Sequence, residues 1–509
     1  MAIFDINFPQ TVLKTFGLPQ KDNRRQQLRV LKKLLGRSRF TEFGQKFRFD
    51  EILMSRHPGK KFQELVPIYN YSTLYKEWWH KTLEGKPDVC WPGKIKYYAL
   101  SSGTSEAASK FIPVTNDLLK GNRVVMMKQL LTLRNYNNIP LSAASKGWLT
   151  LGGSTALQKG VGYYAGDLSG ITMKNVPFWF QPFYKPGKKI GKEKDWNKKL
   201  EEIVAKAPEW DISFIIGVPA WVQMCLEMII EQYNLNTIHD IWPNLTLFVH
   251  GGVSLKPYKK RFEKLLGKPL TYIETYLASE GFIAYQDRQN ARGLKLVTNE
   301  HIFLEFVPFN RSNFDVNGDM VSNPQVLMIH EIEEGKEYAL LISTSGGAWR
   351  YLIGDTIRFI DKEKAEIIIT GRTKHFLNVA GEHLSVENMN KAIQLAGQQL
   401  NISIPEFTVS AIPCDNFFAH HWYVACNDHV NTETLKTSID EHLKEINDDY
   451  AVERKAALKN IFLDVLPEQQ FMQFMKTINK FGGQHKFPRV LKGKMLEDWN
   501  KFLKGELVR

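Results

Sequence analysis

KIKYYALSSGTSEAASKFIP, residues 94–113, is the stretch on which the fold turns. KIKYYAL at 94–100 is rich in aromatic and β-branched residues and reads as a strand. It runs straight into Ser101, Ser102, Gly103, Thr104, Ser105, Glu106, Ala107, Ala108, Ser109 and Lys110. A polyphosphate needs free backbone N–H groups, hydroxyl donors and positive charge, with glycine where the backbone must come close. This segment offers all of them at the end of a strand. The Walker A spacing is absent, and no G-x-x-x-x-G-K-[ST] occurs anywhere in the chain. Taken alone, the segment also reads as a serine-rich surface turn.

Outward from that point the chain divides in character. Residues 1 to about 90 look helical. Arg24, Arg25, Arg29, Lys32, Lys33, Arg37 and Arg39 there interleave with Leu28, Leu31, Leu34 and Leu35. That spacing predicts an amphipathic helix with a solvated basic face. Downstream, Thr115 and Asn116 can cap a helix over Asp117–Arg134. From about 145 to 355, apolar runs alternate with amphipathic stretches: 147–151, 212–216, 245–249, 270–276, 302–307 and 339–343. This alternation marks an α/β domain with extended sheets. After 355 come a hairpin (357–369), a helix (385–400), strands at 407–412 and 422–426, a helix (433–447) and a strand at 461–465. That is a compact α+β unit. The division falls at residues 1–375 and 376–509, where Gly371 and Gly381 bracket a short segment able to act as a hinge.

With 509 residues the chain exceeds one hydrophobic core. Sixty-seven basic against 54 acidic residues give a net charge of +13, which favours anionic partners such as nucleotides. No helix-turn-helix, zinc-finger or RNA-binding signature accompanies the charge, so no nucleic-acid partner is expected. Cys90, Cys225, Cys414 and Cys426 are far apart and predict free thiols in a reducing compartment. MAIFDINFPQ lacks a signal-peptide pattern, and the apolar stretch 212–230 is interrupted by Pro219, Gln223 and Glu227. A cytoplasmic protein with no membrane partner is expected.

Four further segments carry chemistry. In YIETYLASEG, 272–281, Tyr276 can pack on a purine and Glu280 can hold magnesium, which prefers oxygen ligands beside phosphates. In RYLIGD, 350–355, Asp355 can accept two ribose hydroxyls or can simply close a turn. Gly371-Arg372-Thr373-Lys374 places an arginine at the domain boundary. QHKFPR, 484–489, reads as a basic tail or as a loop that delivers one lysine to a phosphate.

Each segment alone is ambiguous, but their joint order is not. SSGTSEAASKFIP (101–113), Y-x-x-S-E (276–280), Y-x-x-G-D (351–355) and QHKFPR resemble, in order, the motifs of the Gretchen Hagen (auxin-responsive promoter) family of acyl-acid amido synthetases. GVPAWV (217–222) and GDLSGI (166–171) look like further family segments. That family lies within the acyl-adenylate-forming superfamily, and the resemblance spans essentially the whole chain. Two departures stand out. Ala107 and Ala108 follow the glutamate of the first motif, where the family usually has glycine. Leu352 follows the tyrosine of the third, where arginine is frequent, and Arg350 precedes it.

The resemblance implies an α/β N-terminal adenylating domain with mixed sheets flanked by helices, under a smaller mobile α+β lid. It implies a ligase that uses ATP and Mg²⁺ to convert a carboxylic acid to its acyl-AMP, then passes the acyl group to an amine, expected to be an amino acid. Ser101, Ser102, Gly103, Thr104 and Ser105 would surround the phosphates. Gly252, Tyr276 and Ser279 would line the adenine pocket, Glu280 would hold Mg²⁺, and Asp355 and Arg372 would meet the ribose. Lys486 would reach the α-phosphate as the catalytic residue. Arg123, Met126, Val218 and Trp221 are candidates for the acyl pocket, between the 117–134 helix and the turn at 218–221. A monomer is expected. A thioester-forming acyl-CoA ligase and a non-catalytic nucleotide-binding homologue stay open as alternatives.

Overall fold

The computed structural model describes residues 22–101, 110–137, 139–252, 255, 258–315, 318–373, 377, 384–414, 417–447, 450–451, 454, 458–478 and 487–506. Asp22 caps helix Asn23–Ser38 by accepting from the Arg24 N–H. Val30, Leu31, Leu34 and Leu35 of that helix are buried, while Arg24, Arg25, Arg29, Lys32, Lys33 and Arg37 face solvent. Its basic face is therefore the solvated one.

Three sheets follow. The first joins β2 (Lys110–Val114), β1 (Tyr97–Ser101), β5 (Tyr164–Gly166) and β4 (Gln158–Lys159), in that order. The second has a parallel run in the order β9 (Thr271–Ala278), β8 (Leu247–Gly251), β7 (Ile212–Gly217), β3 (Gly147–Leu151) and β6 (Tyr184–Lys185). Helices Trp196–Lys206 and Pro219–Gln232 bury their apolar stripes on one face of this run, with Trp196, Leu200, Ile203, Val222 and Leu226 in the core. Trp148, Phe214, Leu247 and Ile273 pack on the other face with Leu130 and Leu133. Strands covered on both sides lose polar alternation, which is why ISFIIG at 212–217 is almost wholly apolar.

The second sheet continues antiparallel from β9 through β10 (Gly281–Tyr285), β11 (Leu294–Leu296), β16 (Glu366–Arg372), β15 (Tyr351–Asp361), β14 (Glu337–Thr344), β12 (Ile302–Pro308) and β13 (Leu327–Met328). This half coils strongly. β9 and β15 are four strand steps apart, roughly 19 Å in a flat sheet. Yet the Tyr276 hydroxyl on β9 lies 2.5 Å from the Asp355 carboxylate on β15. The curl that closes this gap folds distant strands around one site.

The third sheet, in the order β19 (Leu458–Leu466), β18 (Phe417–Ala425), β17 (Phe407–Cys414) and β20 (Val490–Leu491), forms the smaller α+β unit. Helices Val386–Gln399 and Thr432–Ile446 pack on one face, around Trp422. Helices Glu468–Thr477 and Gly493–Leu503 pack on the other, around Trp499. All four cysteines are free thiols, and only Cys414 is more than slightly exposed. Among the described residues no helix is long and apolar enough to cross a membrane.

Candidate active site

The C-terminal ends of parallel strands are where open α/β sheets hold ligands. Here those ends carry Gly152 and Gly153 after β3, Gly217 ending β7, Gly251 and Gly252 at β8, and Ser279 and Glu280 after β9. Two of these glycines are obligatory. A Cβ at Gly251 would stand 2.6 Å from the Thr275 carbonyl oxygen, and Gly252 has a φ of 84°.

Glu280 sits in the β9–β10 turn and is 8% exposed. Burial pushes its carboxyl above the usual carboxylate range; nearby Asp355 adds to the rise, while Arg372 and Lys110 oppose it. The buried Tyr351 hydroxyl donates to the Glu280 carboxylate. Asp355 divides its two oxygens: Oδ2 accepts from the Tyr276 hydroxyl at 2.5 Å, and Oδ1 pairs with Arg372 Nε at 2.8 Å. Arg372 also donates to the Ile353 carbonyl at 3.1 Å. Asp355 and Arg372 are direct partners across β15 and β16, so the hairpin itself sets their spacing. Asp355 holds the guanidinium firmly protonated, above its ordinary range. Tyr276 is only 6% exposed, and burial and then Asp355 hold its phenol well above the usual range.

Lys110 joins this group. It pairs with Ser101 across the β1–β2 ladder, lies over the Tyr71 ring at 5.3 Å and acts electrostatically on Glu280. The structure thus gathers Lys110, Tyr276, Ser279, Glu280, Tyr351, Asp355 and Arg372 from four strands and a turn, with the Ser101 backbone of a fifth strand alongside. Ser102, Gly103, Thr104, Ser105 and Lys486 lie outside the described residues, as do Ala107 and Ala108.

The acyl-pocket candidates are not brought together. Arg123 is exposed on helix Asn116–Leu131, and its Nε donates to the Leu119 carbonyl at 3.3 Å. Met126 packs with Val125, Phe282 and Val297, one turn of chain from Glu280. Trp221 lies on the opposite face of the sheet, edge-on to Trp196 at 4.7 Å, with Val218 packed in the same core. Trp221 is a core residue there and does not face helix Asn116–Leu131. The reason is local: Pro219 starts a helix immediately after β7, and that helix turns its apolar side to the 196–206 layer.

Two residues next to the site escaped the sequence reading. Asn122 Oδ1 accepts from the Phe282 N–H at 3.0 Å and pairs with His301 Nε2 at 2.9 Å. It fixes helix Asn116–Leu131 to the strand that follows Glu280. The signal was a polar residue on the buried stripe Leu118, Leu119, Asn122, Val125.

A carboxylate–guanidinium–phenol cluster and a buried acid thus stand beside a glycine-lined row of strand ends. Three family models match successive parts of the chain: the GH3 family N-terminal domain at 12–205, the central domain at 295–367 and the C-terminal domain at 387–494. The chain belongs to the GH3 family. It is similar to a jasmonoyl–L-amino acid synthetase (JAR6) of Nicotiana attenuata, at 21% identity over 79% of this chain and 80% of that one. An indole-3-acetic acid-amido synthetase (GH3.2) of Arabidopsis thaliana is 22% identical over 39% of this chain and 36% of its own. Among solved structures, the GH3.15 acyl acid amido synthetase superposes with a TM-score of 0.77 at 16% identity, covering 98% of this chain and 96% of its own. A 2-hydroxyisobutyryl-CoA ligase follows the same fold at a TM-score of 0.61 and 11% identity, over 95% and 93% of the two chains.

Proposed function

We propose that this protein is an ATP-dependent acyl-acid amido synthetase that forms an acyl-adenylate and transfers the acyl group to an amino acid. The observation that carries this reading is the convergence of Tyr276, Glu280, Tyr351, Asp355 and Arg372 at one place, together with membership of the family. In the first step a carboxylate oxygen attacks the α-phosphorus and the bond to pyrophosphate breaks, leaving acyl-AMP. In the second an amine attacks the acyl carbon, AMP departs with the bonding pair, and the amine gives up a proton. Negative charge on the phosphoryl oxygens rises in the first step, so positioned cations and donors should supply most of the acceleration.

Asp355 is assigned to the ribose hydroxyls, with Arg372 and Tyr276 holding its carboxylate in place. The Tyr276 ring, Gly252 and Ser279 are assigned to the adenine side, and Ser101 to Ser105 to the phosphates. Glu280 suits Mg²⁺: it is a buried acid whose charge is under-compensated, and magnesium is commonly held by one or two carboxylates plus substrate phosphates. Among the described residues no group of three His, Cys, Asp or Glu side chains makes a self-sufficient metal cage. The ion would neutralise phosphate charge when bound. Lys486 is assigned to the α-phosphate, residues 1–375 to the adenylating body and 376–509 to its lid. The protein is taken as a cytoplasmic monomer.

The test is carboxylate-dependent ATP–pyrophosphate exchange across a panel of aromatic, indolic and aliphatic acids. Exchange with at least one acid is expected, reduced about 100-fold or more by Lys486→Ala. Normal exchange in that variant would remove the lysine from catalysis. Offering amino acids and CoA separately to the loaded enzyme then identifies the acceptor; thioester and no amide would overturn the amido-synthetase reading.

A further inference from the structure

The surface carries one feature that the ligase reaction does not use. Phe178–Phe180 forms a tight turn between Pro177 and Pro182. Its inward side is firmly seated. Phe180 packs edge-on to Trp148 at 4.9 Å, and the Trp148 backbone N–H donates to the Phe183 carbonyl at 2.8 Å. Its outward side is bare: Phe178 is 83% exposed and Trp179 is 55% exposed. Two large aromatics held in water on a rigid base are costly unless something covers them.

The flanking charge is predominantly positive. Residues 168–192 contain Lys174, Lys185, Lys188, Lys189 and Lys192, and Asp167 and Glu193 are the acids that border the stretch. Lys174, Lys188, Lys189 and Lys192 are exposed, and Lys185 Nζ reaches the Pro182 carbonyl at 3.3 Å, on the turn itself.

We propose that the Phe178–Trp179 turn and these lysines dock the protein reversibly on an anionic lipid surface. Aromatic side chains favour the boundary between headgroups and acyl chains, and lysines beside them are drawn to negative headgroups. A protein partner fits less well. A stable protein interface takes about 800 Å² from each side. Two aromatic side chains supply at most roughly 150–250 Å² each. The contact is peripheral and is compatible with the absence, among the described residues, of any spanning helix.

The experiment is co-sedimentation of the full chain with vesicles of phosphatidylcholine alone or mixed with phosphatidylserine. Binding to the mixed vesicles and not to the neutral ones is expected, weakening as salt rises. Phe178→Ala with Trp179→Ala should lower binding about tenfold or more. Lys188→Glu with Lys189→Glu should do the same. Both double variants are surface changes and should melt like the parent, which controls for folding. Trp179→Phe should keep binding but lose the quenching of tryptophan fluorescence by spin-labelled lipid. No binding to anionic vesicles overturns the proposal. So does binding that survives loss of both aromatics, which would point to the basic helix Asn23–Ser38. Self-association or capture of a protein partner that depends on Phe178 and Trp179, without vesicle binding, overturns it in favour of a protein interface.

Discussion

Asp355 shows how one residue is prepared for a ligand before the ligand arrives. A carboxylate has about four acceptor directions. Tyr276 and Arg372 occupy one each, on different oxygens, so the group cannot swing while directions remain for two hydroxyls. Tyr276→Phe removes a hydrogen bond to a charged acceptor, an interaction of about 1.5–3 kcal/mol. We expect the KM for ATP to rise about tenfold with kcat nearly unchanged, because Arg372 still holds the other oxygen. An ATP titration at saturating acid would check this, and an unchanged KM would detach Tyr276 from nucleotide binding. Arg350, by contrast, is no phosphate ligand. It is 4% exposed, pairs with buried Glu305 at 3.1 Å, and donates to the carbonyls of Gln63 and Val66 at 3.0 and 2.7 Å. It therefore does not stand in for the arginine that the family often places after Tyr351. Breaking such a buried pair leaves a stranded charge, so this residue belongs to stability.

At the scale of elements, helix Asn116–Leu131 is tied to the site by one side chain. Asn122 satisfies the Phe282 N–H, and through His301 it also reaches the start of β12. Gly121 makes the close approach possible, since a Cβ there would stand 2.4 Å from the His301 ring. Asn122→Ala strands both donors in a buried place, at about 1–3 kcal/mol each. We expect a clear loss in melting temperature and, because Phe282 follows Glu280 by two residues, a higher magnesium requirement. Thermal melting and a metal titration at fixed ATP separate the two effects; a loss of stability with an unchanged magnesium midpoint would confine Asn122 to packing. Much of this architecture was legible in the sequence. Thr115 caps its helix as expected, accepting from the Leu118 N–H. The strands predicted at 147–151 and 302–307 are observed as Gly147–Leu151 and Ile302–Pro308. β18 runs over Phe417–Ala425, longer than the strand expected at 422–426. In the fold His420 is fully buried, and His421 meets Asp464 of β19 at 2.9 Å, so neither ends the strand. The placement of Trp221 was not legible either. Which face of a sheet a helix covers is a long-range outcome, and apolar spacing within the helix is silent on it.

At the scale of the whole molecule, the contacts between the helices of the large sheet and the smaller α+β unit had no sequence signature. Arg261, on helix Lys259–Leu265 of the large unit, is ion-paired with Glu468 at the start of helix Glu468–Thr477 in the small one. Glu227, on the neighbouring helix of the large unit, lies 3.9 Å from the same guanidinium. Close by, Arg489 of the QHKFPR motif donates to the Phe407 carbonyl at 2.9 Å and acts on buried Tyr258. A basic residue of that motif is thus an internal brace of the small unit, beside the seam. The Arg261–Glu468 pair is partly exposed, with 33% and 21% of the two side chains accessible. Solvent screening should hold its worth to about 1 kcal/mol or less. That is too little to fix the units rigidly, but enough to bias their arrangement by about fivefold. Arg261→Ala and Glu468→Ala should therefore each leave the melting temperature almost unchanged while raising amide exchange along 468–477. The two effects should not add, because each variant removes the same contact. Additive effects in the double variant would mean that the residues act independently. The seam would then rest on Tyr258 and Arg489, and rotation of the small unit would have to break packing rather than a screened ion pair.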